Sequence, residues 1–490
     1  MAVAQPPTPA DIAAWSRAAL PGAADTLRTY VALPNESTRL DWAAANAAWL
    51  ARALADLEFA VELLPTPTAP FVYAERTIDP ALPTLLFYLQ VDGQPVDSAA
   101  WDQPDPYGLV VRRPGGAGFT EVPWDSLGAW APDWRVYGRS ASDSKGPTVA
   151  LLTALRIIAA QGLRPAVNLR VIADLEEEIS SPHLPALVRT DRGRFAADAL
   201  VVMDGTRHVS NRPTLTFGAR GIADVTLTAY GPREPLHSGQ YGNYAPNPAF
   251  ALARLLASLK DERGRVLIPG WYEGIDVSAA DSAALAAIDD DEAALLRRLG
   301  IARPETVGGS YQLALQYPSL NVRGLRAAYV GEEVRTIIPE MAVAELDLRL
   351  VPETPGARQV TLLRDFVEAQ GYFLLENEPT EAERAAHDHL LRFESEVAYE
   401  AFRTPLDAPV GEWLTAATRH ALGEPPVAMR TTGGSQPMGP FITELGLDAV
   451  ALRIPNPDND IHAPNENLRL GNLLEGIQTC VALLTTPYPK

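Results

Sequence analysis

The hydrophobic pattern of the chain predicts buried strands that alternate with a helix. The run TLLFYLQVD (84–92) is almost wholly apolar, which is typical of a parallel strand buried on both faces. Similar runs occur at 166–175 and 199–204. Between the first two, residues 142–162 read as a helix that ends at a glycine. Strand, helix and strand in this order indicate an α/β layered domain.

The first 70 residues are predicted to be helical. Apolar residues recur at helical spacing from Trp42 to Leu57, and Pro65 and Pro67 then interrupt the pattern.

The pattern changes near residue 214. Residues 215–231 and 326–352 alternate apolar and polar side chains, as strands with one solvated face do, and helical patterns at 246–259 and 357–371 accompany them. This predicts an α+β insert of roughly 180 residues. Helical and strand patterns then return. We therefore expect a first domain split into residues 1–213 and 401–490, interrupted by a second domain at 214–400.

Composition limits the class of protein. The chain has 41 basic and 61 acidic residues, a formal net charge of −20, which argues against nucleic acid or an anionic membrane as a partner. Its one cysteine permits no intrachain disulfide and no cysteine-based zinc site. No signal peptide and no stretch of 18 apolar residues is apparent. We expect a soluble, cytoplasmic protein.

Acidic residues follow the predicted strands. Asp92, Glu176–Glu178 and Asp204 each come directly after a buried run, and Asp143 opens the predicted helix. Ligands of open α/β sheets bind beyond the carboxyl ends of the strands, so these carboxylates are expected to converge. Converging carboxylates need a cation, and His462 could add a nitrogen. The set predicts a hydrolytic site for one or two divalent metal ions.

Each residue also has an ordinary interpretation. Asp143 could be a helix N-cap, the three glutamates a solvated loop, and Asp204 before Gly205 a turn. Their shared location at strand ends favours the metal site.

Several motifs occur in one order along the chain. They are YLQVDGQPVDSAAWDQPDPY, GRSASDSKGP, DLEEEISSP, VVMDG, GGSQP and IHAPNEN. Together they resemble the dinuclear metallohydrolase family of carnosine dipeptidase, carboxypeptidase G, aminoacylase and succinyl-diaminopimelate desuccinylase. The resemblance implies a zinc-peptidase-like α/β catalytic domain with a mixed sheet, interrupted by an α+β lid domain that dimerises.

The resemblance also implies roles for the acidic residues. Asp143 matches the carboxylate that bridges two metals, Glu178 and His462 match ligands of one metal, and Asp204 matches a ligand of the other. Glu177 matches the general base. Asp92 matches the acid that orients the family's first histidine ligand. That histidine is replaced here by Gln90, whose carbonyl oxygen is a weaker ligand for zinc.

Further matches concern the substrate. The segment LHSGQYGN resembles the one whose histidine, here His237, reaches the active site of the neighbouring subunit and binds the oxyanion. Asn321 and Arg335 match positions that contact the carboxylate end of the substrate. Gly434 and Ser435, which follow Gly433, match a glycine-rich substrate loop.

The function indicated is a metal-dependent hydrolase that cleaves the amide bond of a dipeptide or N-acyl amino acid. Zinc or manganese is the expected metal, and a homodimer the expected assembly. Two alternatives stay open at this point. The chain could be a non-catalytic or single-metal relative that binds a peptide-like ligand, or the same site could form amides.

Overall fold

A computed structural model describes residues 6–116 and 118–489. The helices are α1 (Pro9–Val31), α2 (Leu40–Ala55), α3 (Lys145–Ala160), α4 (Leu184–Thr190), α5 (Arg192–Phe195), α6 (Ser238–Tyr241), α7 (Pro248–Leu259), α8 (Ala279–Ala286), α9 (Glu292–Leu299), α10 (Tyr311–Ala314), α11 (Gly356–Ala369), α12 (Glu381–Ala386), α13 (Pro409–Leu422), α14 (Gly439–Leu445) and α15 (Leu470–Thr485).

The strands are β1 (Ala60–Leu64), β2 (Phe71–Arg76), β3 (Thr84–Gln90), β4 (Val110–Gly115), β5 (Gly118–Val122), β6 (Arg135–Tyr137), β7 (Asn168–Asp174), β8 (Ala199–Val202), β9 (Thr214–Thr216), β10 (Gly218–Ala219), β11 (Gly221–Tyr230), β12 (Leu236–His237), β13 (Ser319–Ala327), β14 (Ile337–Ile338), β15 (Met341–Leu350), β16 (Phe373–Leu375), β17 (Leu390–Tyr399), β18 (Phe402–Arg403), β19 (Val427–Met429), β20 (Ala449–Arg453) and β21 (Asn467–Arg469).

The chain divides into two compact units. The first comprises the described residues up to Gly218, Arg403–Arg430 and those from Pro437 onward; the second comprises Ala219–Phe402 and Thr431–Gln436. The predicted boundaries lie at 213/214 and 400/401, and they place the short 431–436 segment in the first domain. In the structure this segment joins the second unit, where Thr432 forms a bridge with Ala219. The assignment of the units as catalytic and lid domains stays a prediction.

An eight-stranded mixed sheet organises the first unit, in the order β1-β2-β7-β3-β8-β20-β9-β19. The central strands β7, β3, β8 and β20 are parallel, and antiparallel pairs flank them. Both faces of β3 are covered. Phe87 joins the core beneath α1, α3 and α15, and Tyr88 packs edge-on against Phe441 of α14. This double coverage explains why the strand sequence is apolar throughout.

One prediction for the first unit is wrong. The helical interpretation of the first 70 residues holds for α1 and α2, but residues 60–64 form β1, which pairs with β2 at the edge of the sheet. The segment AVELL is too short for a stable helix, and pairing with β2 decides its conformation.

The second unit is built on a five-stranded sheet in the order β13-β15-β11-β17-β16. Side chains of β15 alternate between buried and partly exposed, as the sequence pattern predicts. The buried face packs against apolar residues of α7 and α11, including Leu255 and Leu363. No helix in the described part of the chain combines the length and hydropathy needed to cross a membrane.

Candidate metal centre

The acidic residues that follow the central strands lie together at the carboxyl ends of these parallel strands. In the parallel register, Gln90 at the end of β3 is opposite Asp174 of β7, and Tyr88 is opposite Val202 of β8. The segments that follow these strands therefore leave the sheet side by side. They carry Asp92, Glu177, Glu178 and Asp204.

The loop that carries Asp143 is held by a carboxylate from the C-terminal part of the chain. The Glu466 side chain is fully buried and accepts hydrogen bonds from the backbone N–H groups of Ser140, Ser142 and Asp143 at 2.8, 2.8 and 3.0 Å. It also accepts one from the Ser142 hydroxyl and pairs with Arg139 at 2.9 Å. Glu466 thus fixes the backbone that presents Asp143.

Asp143, Glu178 and His462 converge. His462 Nε2 lies 2.9 Å from Asp143 Oδ2 and 3.3 Å from Glu178 Oε2. One ligand atom from each of the three residues lies within 4.8 Å of the others, a spacing that permits a shared metal ion. The hydrogen bond to Asp143 raises the pKa of His462 to about 9.

Asp204 lies beside this group through a shared hydroxyl. Ser144 Oγ is 2.5 Å from Asp204 Oδ1 and 3.2 Å from Asp143 Oδ1. The backbone carbonyl of Asp204 accepts a hydrogen bond from the buried Arg453 at 2.7 Å. Asp204 is therefore positioned next to the carboxylate that is predicted to bridge two metals.

Around these residues lies a layer of polar contacts. The backbone N–H of Glu178 donates to Asp92 Oδ2 at 3.0 Å, and Gln94 donates to Glu178 Oε2 at 2.7 Å. Behind them, buried Asp174 accepts hydrogen bonds from Tyr88 at 2.9 Å and from Ser181 at 2.6 Å. These contacts restrict the orientations of the carboxylates.

The electrostatics of the group call for a cation. Burial is the largest cause that raises the pKa of Asp92, Asp143, Glu177 and Glu178, and neighbouring carboxylates raise it further. Asp92 Oδ1 and Glu178 Oε1 are buried without a hydrogen-bond partner among the described residues. A set of carboxylate oxygens with one imidazole nitrogen suits a divalent ion. The residues present therefore fit a metal centre.

Two members of this site were not selected from the sequence. Glu466 and Gln94 lie within the quoted motifs IHAPNEN and YLQVDGQP, but only the folded chain shows what they contact. Gln90 is buried at the end of β3, and its role as a ligand stays a prediction.

Five predicted site residues belong to the second unit. Gly434 and Ser435 lie in the glycine-rich loop, and the other three are exposed. His237 ends β12, and its Nδ1 accepts a hydrogen bond from the N–H of Gly239 at 3.1 Å. Asn321 lies on β13. Arg335 lies over the ring of Tyr329, 4.6 Å from its centroid. Their predicted roles stay predictions.

A different arginine contacts the glycine-rich loop. Arg349, at the end of β15, donates from Nη1 to Ser435 Oγ at 3.3 Å and from Nε to Asp347 at 3.3 Å. Gly433 and Gly434 precede this serine; a β-carbon at Gly434 would meet no atom within 4 Å, and one at Gly433 would make only an ordinary contact at 3.5 Å. Arg349 was not selected from the sequence, where it appears as one polar residue of an alternating strand.

Comparison with known proteins identifies the family. The model of Peptidase family M20/M25/M40 matches residues 114–486, about three quarters of the chain. The chain belongs to this family. The resemblance drawn from the motifs is thereby confirmed, and so is the interpretation as a metal-dependent hydrolase of amide bonds.

Two relatives of the chain are named as dipeptidases. The Cys-Gly metallodipeptidase dug1 of Schizosaccharomyces pombe is 26% identical over 430 residues, which cover 84% of this chain and 81% of the relative. The human Beta-Ala-His dipeptidase is 30% identical over 291 residues, 58% of this chain and 54% of the relative. This second alignment thus spans only about half the length of that relative.

Solved M20 structures share the fold. The metallo-carboxypeptidase Sso-CP2 from Sulfolobus solfataricus superposes with a TM-score of 0.77 at 26% identity, over 95% of this chain and 99% of its own. Human carnosine dipeptidase 1 gives 0.71 at 23% identity, over 97% and 98%. The expected fold class is confirmed.

Proposed function

We propose that this M20 enzyme uses divalent metal ions to hydrolyse the amide bond of a dipeptide or an N-acyl amino acid. The observation that carries the proposal is the convergence of Asp143, Glu178 and His462, with Glu177 adjoining in sequence. The relatives named for Cys-Gly and Beta-Ala-His hydrolysis support a small peptide substrate.

The metal set has two proposed positions that share Asp143. Glu178 and His462 complete one, and Asp204 and Gln90 the other. Zinc or manganese, as one or two ions per subunit, suits these ligands. A divalent ion in such a site acidifies water and polarises the scissile carbonyl.

The protein residues supply the proton transfers and the orientation. Glu177 takes a proton from the attacking water and returns it to the departing amine. Asp92 accepts from the backbone N–H of Glu178 and so orients the metal-binding segment. His237 donates a hydrogen bond to the oxyanion that forms on the carbonyl carbon.

Hydrolysis by the purified protein tests the function directly. The protein is loaded with zinc or manganese and assayed against Cys-Gly, β-Ala-His, other dipeptides and N-acyl amino acids. We expect turnover of at least one dipeptide and its loss with a chelator. Absence of hydrolysis across the panel, in protein shown to contain metal, would sink the proposal and favour the ligand-binding or amide-forming alternative.

We further propose that Arg349 binds the carboxylate of the substrate, a role that the family resemblance implied for Arg335. The support is the contact of Arg349 with Ser435 in the glycine-rich loop, whereas Arg335 is exposed beside Tyr329. A guanidinium fork matches a carboxylate in geometry and charge.

Arg349→Ala should lower kcat/KM by about 10–100-fold, because a hydrogen bond to a charged group contributes about 1.5–3 kcal/mol. Arg335→Ala is the matched control, and its kcat/KM should change little. Steady-state kinetics with one dipeptide measure both. The reverse order of effects would return the role to Arg335.

Gln90→His should tighten metal binding at the position shared with Asp204 by at least about tenfold, the lower end of effects that ligand surroundings have on metal affinity. Imidazole nitrogen is a better zinc ligand than a carboxamide oxygen. Titration of both metal-free proteins with zinc and with manganese measures the change. Equal stoichiometry and equal affinity would show that Gln90 is not a ligand.

A homodimer formed through the second unit is the proposed assembly. The support is a pair of exposed apolar side chains on β13, a strand at the edge of the five-stranded sheet: Val322 and Leu325 are 41% and 61% exposed. Exposed apolar side chains on an edge strand are typical of a protein interface. A dimer would also let His237 act in the active site of the partner.

Leu325→Asp should shift the protein from dimer to monomer, because it places a charge in the proposed apolar interface. Leu63→Asp is the control, since Leu63 lies on β1, the edge strand of the other sheet, and is 45% exposed. Sedimentation velocity measures the assembly. A wild-type monomer with full activity at nanomolar concentration would refute both the dimer and the role of His237.

The proposed compartment is the cytoplasm. The single cysteine, Cys480, is buried, and burial raises the pKa of its thiol to about 12. One cysteine permits no intrachain disulfide, which suits a reducing compartment. The acidic net charge favours a small-molecule substrate over nucleic acid or membrane.

A further inference from the structure

The last two residues of α1 and the segment that follows them, together residues 30–37, contact two loops that carry site residues. Asn35 Nδ2 donates to the carbonyl of Val91 at 2.8 Å and to Ser140 Oγ at 2.9 Å. The carbonyl of Asn35 accepts from the N–H of Gly93 at 2.9 Å, and the carbonyl of Gly93 accepts from Ser37 at 3.1 Å. One buried side chain therefore ties the loop after β3 to the loop before α3.

The same segment also holds the start of α3. Lys145 is fully buried, and its ammonium donates to the carbonyls of Tyr30 and Leu33 at 2.9 and 2.6 Å, where α1 ends. It lies 4.6 Å from the centre of the Tyr30 ring. A cation is favourable at the C-terminal end of a helix, where carbonyls lack helical partners. Asp143 lies two residues before this lysine.

The two loops approach each other too closely for a side chain at Gly93. A β-carbon there would lie 2.4 Å from Ser140 Oγ and 3.2 Å from the amide of Asn35. Glycine has no side chain to block this approach, and the Asn35 amide donates the hydrogen bonds that join the two loops.

We infer that Asn35 is a positioning residue for the metal centre. It bonds to the carbonyl of Val91, which lies between Gln90 and Asp92, and to the hydroxyl of Ser140, three residues before Asp143. It thereby fixes the separation between the end of β3 with the loop after it, which carry Gln90 and Asp92, and the loop that carries Asp143. This inference rests on the proposed metal-dependent function, and the family match, which begins at residue 114, does not include residues 30–37.

The physical reason is the cost of assembling like charges. The loops hold carboxylates that repel one another before a cation binds, so a loose junction would let them separate. Any free energy needed to bring the carboxylates together again would weaken metal binding by that amount. Contacts behind metal ligands commonly alter affinity by about 10–100-fold. Asn35 makes such a contact with two loops at once.

Asn35→Ala is the test, with Asn168→Ala as a matched control. Asn168 is also buried, and its Nδ2 donates to the carbonyls of Asp79 and Leu82 at 2.9 and 2.8 Å, at the start of β7 and away from the strand end that leads to the site. Both variants should lose thermal stability. Only Asn35→Ala should weaken zinc binding, by about tenfold, when metal-free protein competes with a chromophoric chelator.

Ser140→Ala completes a double-mutant cycle. It removes the hydroxyl that Asn35 contacts and leaves the backbone N–H of residue 140 bonded to Glu466. The losses of zinc affinity in Asn35→Ala and Ser140→Ala should not add, because both break the same link. If Asn35→Ala does not fold, Ser140→Ala alone should still weaken zinc binding while Asn168→Ala does not.

Two outcomes overturn the inference: equal zinc affinity in Asn35→Ala and Asn168→Ala, or fully additive losses in the cycle. The affinity measurement is independent of catalysis. A protein that binds zinc as described but hydrolyses no dipeptide would refute the proposed function and leave the positioning role of Asn35 standing.

Discussion

Glu177→Gln is expected to lower kcat by about 10²–10⁴-fold, the usual contribution of a general base. The amide keeps the size of the side chain but cannot accept a proton from water. Metal content should stay at the wild-type level, because Glu177 is not among the proposed ligands. Single-turnover kinetics together with elemental analysis of the dialysed protein would measure both quantities.

The preceding residue offers a control for this change. Glu176 is buried in the same segment and has no assigned role in the reaction. Glu176→Gln makes the same chemical substitution one position earlier, so its effect on kcat should be much smaller. A Glu177→Gln enzyme with nearly wild-type kcat, or one that had lost its metal, would contradict the assignment of the base.

The second large effect is expected at Glu466. Glu466→Gln should destabilise the first unit by about 3–5 kcal/mol, the usual cost of breaking a buried ion pair, because buried Arg139 loses its charged partner. The amide can also accept fewer of the hydrogen bonds that the Asp143 loop donates. Urea unfolding of metal-free protein measures the free energy, and eight of the nine tryptophans lie in the first unit and report on it.

Glu444→Gln is the comparison for Glu466. Glu444 on α14 pairs with Arg189 and Arg192, whose side chains are largely exposed. Exposed ion pairs contribute about 0–1 kcal/mol, so this variant should unfold close to the wild type. Similar losses in the two variants would mean that Glu466 does not have the structural role that its contacts indicate.

Apolar runs and helical spacing predicted much of the fold because each reports which side chains of one element are buried. The apolar run of β3 and the helical spacing of α3 follow from burial along each element. Residues 60–64 were misread because β1 depends on a neighbouring strand, not on its own sequence.

The residues of the candidate site also fall into those that local sequence reveals and those that only the folded chain reveals. Asp92, Asp143, Glu178, Asp204 and His462 could be selected because each lies in a short motif. Other contacts connect distant parts of the chain. Glu466 meets the Asp143 loop across more than 320 residues, and Arg349 meets Ser435 across 86. Such pairs depend on tertiary packing, so composition and periodicity carry no signal for them.

The attachment of the Asp143 loop to Glu466 has a consequence for how the protein is made. On the ribosome, residues 219–402 form an uninterrupted stretch that is complete before the sequence near residue 466 has been synthesised. Domains generally fold as units during synthesis, so this stretch can acquire its core while the Asp143 loop still lacks its buried acceptor. Contacts between distant residues form late because closing a long loop costs entropy. The metal centre is therefore expected to mature only after the segment around residue 466 leaves the ribosome, and chains that stop before this segment would lack an ordered site.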